Sequence, residues 1–222
     1  MIMVCFPILW AKKSPHSEDI FLIKMPDMYP DFTFCFFCGK INRKYFLEEE
    51  NMKLEKELTG RRIMIRSCEK SDLAFYKSMW LDPENGKYMI DPENEFANEE
   101  YLEALSKLDS DEDGYYLTVI LHSGEPIGSF CAFPENGGKV FDIGYCIHKK
   151  YWKQGFGSEA LSIMIDWISS RGAEKITGEV AVENIASCKL LEKFGFVPEK
   201  ETEFKKYNMD IKFKSYIYAK KL

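Results

Sequence analysis

The chain has 222 residues, 45% of them hydrophobic, and its 36 acidic residues outnumber 30 basic ones to give a formal net charge of -6. This length suits one domain of ordinary size with an appendage, and the apolar content is sufficient for a buried core. The acidic balance argues against a general nucleic-acid binder, because neutralising phosphates requires a surplus of Lys and Arg.

The N-terminal part of the chain, residues 1 to about 50, matches no recognisable fold pattern, and the polar run at residues 48–56 is interpreted as a solvated helix or linker. The apolar start at residues 1–11 is interrupted by Pro7 and falls short of the ~20 residues that a membrane span needs. We therefore predict neither a membrane span nor a secretory signal. Residues 1–60 are interpreted as an extension of unknown role before a domain over residues 61–222, for which Met52 is also a natural start.

The cysteines are an odd, scattered set of seven, which favours reduced thiols in a cytoplasmic protein. The CFFCG run at residues 35–39, together with Cys5 and His16, could supply four zinc ligands. No second CxxC pair accompanies it, so an apolar strand with incidental thiols is the favoured interpretation. We expect no metal.

From residue 61 the hydrophobic pattern becomes regular. Ile63 and Ile65 begin a strand, and Ser71 is predicted to cap a helix with a core-facing apolar stripe. A Pro- and Asn-rich loop over residues 82–94 leads to a second helix at about residues 98–108. Three strands then follow, with turn signals between them, which is typical of antiparallel neighbours; they cover residues 115–121, 127–133 and 140–148.

The last third of the chain alternates between the two kinds of element. A helix is predicted from about residue 155 to 171, a strand from 176 to 182 and a helix from 185 to 194, with Gly172 and Gly195 ending the two helices. Two closing strands complete the pattern. This order predicts an α/β domain with a mixed, mostly antiparallel twisted sheet flanked by helices.

The most informative segment is HKKYWKQGFGSEA, residues 148–160, where a strand enters a glycine-bearing turn that opens a helix. Gly155 and Gly157 allow a ligand to approach the backbone, and the first helical turn presents amides and the positive end of the helix dipole. Three nearby lysines add positive charge, so a pyrophosphate is the expected ligand; they are Lys149, Lys150 and Lys153. The alternative is that the glycines only make a tight turn. A dinucleotide-binding GxGxxG is disfavoured because no third glycine follows.

This segment resembles the CoA-pyrophosphate loop of GNAT (GCN5-related) N-acetyltransferases, especially the branch that acetylates ribosomal-protein N-termini. The matching residues are Trp152, Gln154, Gly155, Phe156, Gly157, Ser158, Glu159 and Ala160. Trp152 stands where the wider family often has Arg or Gln. A second resemblance, NIASCKLLEKFGF, begins at Asn184, and the strand DIGYCI, residues 142–147, is similar to the strand that pairs with pantetheine.

The resemblance implies a GNAT fold and acetyl-CoA as the co-substrate. The residues that it places at the cofactor are Cys146, Ile147, Lys153, Gln154, Gly155, Phe156, Gly157, Ser158, Asn184 and Ser187. Asn184 stands immediately before a helix, where the ordinary role of an asparagine is that of an N-cap.

Asp142 is the first candidate for the general base, because the resemblance places it on the strand where the family often carries an acidic residue. Glu179 and Glu183 are lesser candidates. Many family members use a tyrosine seven positions after the motif asparagine as the general acid, but Leu191 stands there. Ser187 is the replacement that we predict, with helix capping as its alternative role; the other hydroxyls are Tyr207, Tyr216 and Tyr218.

The predicted reaction is transfer of acetyl to a primary amine, with a protein or peptide N-terminus favoured and a small-molecule amine or aminoglycoside next. Acidic residues around the first two helices would attract a cationic acceptor, unless they form only a solvated surface; they are Asp82, Glu84, Asp91, Glu93, Glu95, Glu99, Glu100, Glu103 and the cluster at 109–113. The alternative function is a non-catalytic CoA-binding or interaction module. We expect no nucleic-acid or membrane partner, and a homodimer is one option for the assembly.

Overall fold

The computed structural model describes residues 52–222, which form one eight-stranded sheet with four α-helices on its faces. The strands are β1 (Leu58–Thr59), β2 (Ile63–Ser67), β3 (Tyr115–Leu121), β4 (Pro126–Glu135), β5 (Val140–Ile147), β6 (Lys175–Ala181), β7 (Val197–Lys205) and β8 (Lys212–Lys221). The helices are α1 (Leu73–Trp80), α2 (Glu99–Leu105), α3 (Phe156–Ser170) and α4 (Ile185–Lys193).

The strands lie in the order β1-β2-β3-β4-β5-β6-β8-β7, and every neighbouring pair is antiparallel except β5 with β6. The parallel pair has only three register positions, and Asp142 opposite Thr177 is the last. Beyond it, β5 continues beside β4 and β6 continues beside β8. The sheet therefore divides at this point, and a gap opens between the carboxyl ends of β5 and β6.

Hydrophobic side chains cover both faces of the sheet. Ile143, Tyr145 and Ile147 of β5 point into the larger core, which α3 and α4 cover. Cys146 points to the opposite face and joins the core beneath α1 and α2. This division follows from strand alternation, since successive side chains point to opposite faces. Asp142 therefore shares the face that carries α1 and α2.

The residues just before β2 pack against the domain. Met52, Leu54 and Leu58 contact the larger core, and the Leu54 amide donates to Ser67 Oγ at 2.8 Å. The domain boundary predicted at residue 61 stays a prediction. The zinc-ligand alternative at Cys5, His16 and residues 35–39 lies outside the described residues.

The predicted order of elements and the mixed, mostly antiparallel sheet are confirmed. The predicted cap at Ser71 is wrong, because Ser71 lies in a short 3-10 turn and α1 begins one residue after Asp72. The Asp72 carboxylate is buried, and Arg66 Nη1 donates to it at 2.6 Å. The second helix ends at Leu105, and a separate 3-10 turn covers Leu108–Ser110. Within residues 52–222, no helix is long and apolar enough to cross a membrane.

Candidate active site

The gap between β5 and β6 brings the predicted site residues to one end of the sheet. Strand β5 leads through a 3-10 turn at Lys149–Tyr151 into α3, and β6 leads through a short turn into α4. Because both strands run in the same direction, the N-termini of α3 and α4 lie at the same end of the sheet. Residues beyond 142 on β5 have no strand partner on the β6 side among the described residues. Their main-chain groups along that edge can therefore pair with a ligand that enters the gap.

Asp142 lies at the closed end of the gap and is 8% exposed. The Thr177 hydroxyl donates to Asp142 Oδ1 at 2.7 Å. The pKa of Asp142 is raised to about 7, chiefly by burial; the Thr177 hydrogen bond opposes the rise, and the charges of Glu135 and Glu179 add to it. A carboxyl with this pKa is divided between its acid and base forms near neutral pH.

The turn before α3 has the backbone shape that an anion site requires. Gly155 is the N-cap residue at φ 83°, and Lys153 also has a positive φ of 59°. The first main-chain hydrogen bond of the helix runs from the Glu159 amide to the Gly155 carbonyl at 3.1 Å, so the amides of Phe156, Gly157 and Ser158 have no acceptor within the helix. Glycine supplies no capping side chain, so these three donors remain available to a ligand.

An arginine that the sequence analysis did not identify lies at the same turn. Arg62, just before β2, donates from Nη1 to the Gln154 carbonyl at 2.9 Å and from Nε to Glu159 Oε2 at 2.8 Å. Its guanidinium lies 4.4 Å from the centre of the Phe156 ring. An open groove of about 590 Å³ follows this surface, lined by Arg61, Arg62, Gly155, Ser158, Glu159, Ser162 and Phe194. Arg62 comes from the other end of the domain sequence, so no local motif could reveal it.

Two of the three predicted lysines already have carboxylate partners. Lys149 Nζ contacts both Asp82 and Glu84 at 3.0 Å, and Lys150 Nζ contacts Glu125 at 3.1 Å. Lys153 lies in the turn itself and is exposed. The positive charge at this corner therefore comes from Lys153 and Arg61 together with the helix amides, and from Arg62, which also pairs with Glu159.

Asn184 and Ser187 lie at the start of α4. The Asn184 side chain accepts from the Ser187 amide at 3.4 Å, which is the N-cap arrangement considered above. Ser187 is fully buried, and the hydroxyl of Tyr145, also buried, has no hydrogen-bond partner among residues 52–222. Leu191 is a fully buried core residue, and its side chain cannot donate a proton.

Cys146 and Ile147 occupy the end of β5. The Cys146 thiol is buried, and it accepts from Asn85 Nδ2 at 3.1 Å. Burial raises the pKa of this thiol to about 12, so it stays protonated near neutral pH. The Ile147 carbonyl accepts from Trp152 Nε1 at 2.6 Å. Trp152 thus stabilises the strand-to-helix turn at the position where arginine is common in the wider family.

The acidic residues predicted to attract an acceptor have different environments. Asp82 and Glu84 pair with Lys149, and Glu103 pairs with Lys107 at 2.6 Å. Asp91 is buried, and the Tyr101 hydroxyl donates to it at 2.6 Å. Most of the set is exposed, namely Glu84, Glu95, Glu99, Glu100, Glu103, Glu112 and Asp113. Among residues 52–222, no group of three or more His, Cys, Asp or Glu residues is arranged to hold a metal ion.

The lesser candidates for proton transfer are also distributed over several elements. Glu179 accepts from the Ser215 hydroxyl at 2.6 Å on the Asp142 face of the sheet. Tyr216 and Tyr218 donate to Glu201 and Glu192, both at 3.1 Å. Two others lie elsewhere: Glu183 is exposed after β6, and the Tyr207 side chain packs against Tyr101. Of all the candidate bases, Asp142 alone combines burial with a position at the closed end of the gap.

Comparison with known proteins gives consistent results. The family model described as "Acetyltransferase (GNAT) domain" matches residues 62–197. An uncharacterised N-acetyltransferase, p20 of Bacillus licheniformis, is 29% identical over 145 residues, which cover 62% of this chain and 80% of that protein.

Two solved structures show the same fold at low identity. One is RimL, described as a ribosomal L7/L12 alpha-N-protein acetyltransferase in complex with coenzyme A, with 15% identity, a TM-score of 0.63 and coverage of 75% of this chain and 98% of that one. The other, from Salmonella typhimurium, is described as modifying the N-terminal serine of ribosomal protein L7/L12; it has 16% identity, a TM-score of 0.62 and coverage of 75% and 99%. With a family model that spans more than half of its residues, the chain belongs to the GNAT acetyltransferase family.

Proposed function

We propose that this protein transfers acetyl from acetyl-CoA directly to a primary amine, with a protein or peptide N-terminus as the favoured acceptor and a small-molecule amine or aminoglycoside as the next. One observation carries the proposal. A buried carboxyl, Asp142, lies at the closed end of a gap, and the adjoining strand β5 leads into the glycine turn at the N-terminus of α3.

The residues present fit acetyl-CoA. The amides of Phe156, Gly157 and Ser158 would bind the diphosphate, and the groove beside Arg61 and Arg62 would hold the nucleotide end. The pantetheine arm would enter the gap and pair with the β5 edge beyond residue 142 as an added strand. The similar RimL structure is described as a complex with coenzyme A, which supports this arrangement.

The chemistry requires a neutral amine. An α-amine with a pKa near 7.7 to 8.0 is roughly 10% neutral at pH 7, whereas a lysine with a pKa of about 10.4 is less than ~0.1% neutral. An N-terminal acceptor therefore requires less deprotonation by a base than a lysine side chain does. The two similar structures described as acetyltransferases of ribosomal L7/L12 also support an N-terminal acceptor.

In the proposed reaction, the amine nitrogen attacks the thioester carbonyl carbon and its proton passes to Asp142, directly or through a water molecule. The C–S bond then breaks and the CoA thiolate takes up a proton. With Leu191 in place of the usual tyrosine, Ser187 or water supplies that proton. Acetyl-CoA supplies the activated acetyl group when it is bound. The residues of the chain bind acetyl-CoA and transfer the protons.

The test replaces Asp142→Asn and measures CoA thiol release with a short peptide that has a free N-terminal serine. We expect kcat to fall by about 100-fold or more, as for loss of a general base, while the Kd for acetyl-CoA stays within about twofold. Glu203→Gln, which removes an exposed carboxylate on β7, is the matched control and should retain full activity.

The same experiment distinguishes the alternative function. A non-catalytic CoA-binding module would bind acetyl-CoA but release no thiol with the peptide, with polyamines or with an aminoglycoside. If the wild-type protein turns over and Asp142→Asn turns over equally well, the assignment of the base is wrong. An absence of acetyl-CoA binding by the wild-type protein would refute the proposed function as a whole.

A further inference from the structure

The segment between α1 and α2 crosses the mouth of the gap. At its near end, Asn85 is buried and contacts the β5 side. Its Nδ2 donates to Cys146 Sγ at 3.1 Å, and its Oδ1 accepts from the Lys149 amide at 2.6 Å. This end of the segment is therefore fixed to the strand that carries Asp142.

A few residues later the same segment contacts the other half of the sheet. Tyr88 and Ile90 pack against a small core that contains Ala181 of β6 and Phe204 of β7. The Tyr88 ring also meets Phe213 of β8 edge-on, with the ring centres 5.6 Å apart. Residues 85–90 therefore connect the two sides of the gap on the face opposite α3 and α4, and we call them the bridge.

Lys206, just after β7, holds the bridge in place. The lysine is only 2% exposed, and its Nζ donates to the carbonyls of Gly86, Met89 and Asp91 at 2.9, 3.1 and 2.7 Å. All three acceptors belong to an irregular segment that has no ladder of its own. One ammonium group thus satisfies the carbonyls of Met89 and Asp91, for which no other donor is found within residues 52–222, and it adds a second donor to the Gly86 carbonyl, which also accepts from the Met89 amide at 3.0 Å.

Burying an ammonium group costs free energy of folding. Removing the charge from water opposes folding, and burial accordingly lowers the pKa of Lys206. The charges of Asp91 and Glu93 oppose this lowering, but all three hydrogen bonds of Nζ go to main-chain carbonyls. The hydrogen bonds of Lys206 therefore fix the main-chain conformation of this segment, as expected for a residue that supports a functional site.

We propose that Lys206 is a positioning residue for acetyl transfer, which holds the bridge across the gap so that the acceptor amine meets the thioester against a fixed wall. This inference rests on the proposed function, because the wall matters only if acetyl-CoA lies in the gap. In the proposed arrangement the pantetheine arm would lie along the β5 edge of the gap, and the bridge bounds the gap on the face opposite α3 and α4, where Asp142 points. Lys206 would then affect the acceptor and leave the affinity for the cofactor unchanged.

The test replaces Lys206→Met, which keeps an unbranched side chain one atom shorter and removes the three hydrogen bonds. We expect kcat/KM for the N-terminal-serine peptide to fall by about 10- to 100-fold, mainly through KM for the peptide, while the Kd for acetyl-CoA changes by less than about twofold. Hydrogen exchange of the amides at residues 86–91 should accelerate. Lys205→Met is the matched control, because the Lys205 side chain lies on the surface beside Asp210, and it should change neither quantity.

Tyr88→Ala provides a second route to the same result if Lys206→Met does not fold. This change removes the contact of the half-buried Tyr88 ring with Phe213. It should likewise raise KM for the peptide and leave the Kd for acetyl-CoA nearly unchanged. Wild-type exchange rates at residues 86–91 in Lys206→Met would overturn the proposal, even if the peptide is not acetylated. Faster exchange with an unchanged kcat/KM would also overturn it. Failure of the wild-type protein to bind acetyl-CoA would instead refute the proposed function.

Discussion

The environment of Asp142 has a consequence for stability as well as for catalysis. Its pKa of about 7 lies above the ordinary value of 3.8, so the folded state binds a proton that the unfolded state has released across this range. The stabilising contribution of this proton is complete below about pH 4 and is lost as the pH rises through 7. At pH 8 the folded protein contains a buried carboxylate.

Asp142→Asn is therefore expected to stabilise the protein at alkaline pH while it lowers kcat. We expect the free energy of unfolding to exceed that of the wild type by on the order of 2 to 4 kcal/mol at pH 8, and the difference to vanish near pH 4. Urea unfolding at several pH values measures it, and Glu203→Gln should show no such pH dependence. An Asp142→Asn variant that is less stable at pH 8 would contradict the assigned pKa.

Individual contacts could be read from the sequence only where both partners are local. The glycine turn at residues 155–157 was identified because a strand, a turn and a helix follow one another along the chain. Arg62 contacts the same turn from 92 residues away, and Lys206 contacts Gly86 from 120 residues away, so neither could be found by spacing. Residue type alone predicts Ser71 as the N-cap of α1. The residue at that position is Asp72, and its contact with Arg66 is not visible in the local pattern.

At the scale of elements, the proposed role of the turn before α3 in binding acetyl-CoA can be tested by replacing two glycines, one at each end of the helix. Gly155 has φ 83°, and Gly172, at the other end of the same helix, has φ 78°. Alanine at either position pays a similar backbone penalty of about 1–2 kcal/mol, because the left-handed region disfavours a Cβ. We expect only Gly155→Ala to weaken acetyl-CoA binding, by about tenfold or more, since its turn would lose the amide geometry that the diphosphate needs.

Calorimetric titration of both variants measures the difference. Gly172→Ala acts as the control because a Cβ there meets nothing within 4 Å, whereas a Cβ at Gly155 comes to 3.4 Å from Arg62 Nη2. Equal loss of affinity in the two variants would show that the effect comes from general destabilisation of α3. Unchanged affinity in Gly155→Ala would argue against a phosphate at this turn.

Most elements were predictable because their apolar periodicity is strong and their ends are marked by glycine. The placement of β8 between β6 and β7 was not, since two adjacent strands can be inserted in either order without changing their pattern. The path of residues 82–94 could not be predicted from the sequence either. An irregular segment carries no periodicity, and its course is determined by distant partners such as Phe204 and Phe213.

At the scale of the whole molecule, acetyl-CoA should stabilise the fold. A ligand at 100 times its Kd adds about 2.7 kcal/mol to the free energy of unfolding, provided that it binds only the folded state. We expect the melting temperature to rise with acetyl-CoA and to rise much less with S-acetylpantetheine, which lacks the diphosphate and the nucleotide. Thermal-shift measurements at matched concentrations compare the two. Equal shifts would show that the turn at Gly155 contributes little to binding.

The brevity of the junction between β5 and β6 also implies an unequal distribution of stability. Only three parallel register positions, Val140 to Asp142 with Lys175 to Thr177, join β1–β5 to β6–β8 within the sheet, whereas the antiparallel pairs on either side are longer. Cooperative units that share few contacts can open separately in the native state. The two parts of the sheet are therefore natural candidates for distinct foldons, and a cofactor that contacts both would act as a reversible cross-link between them.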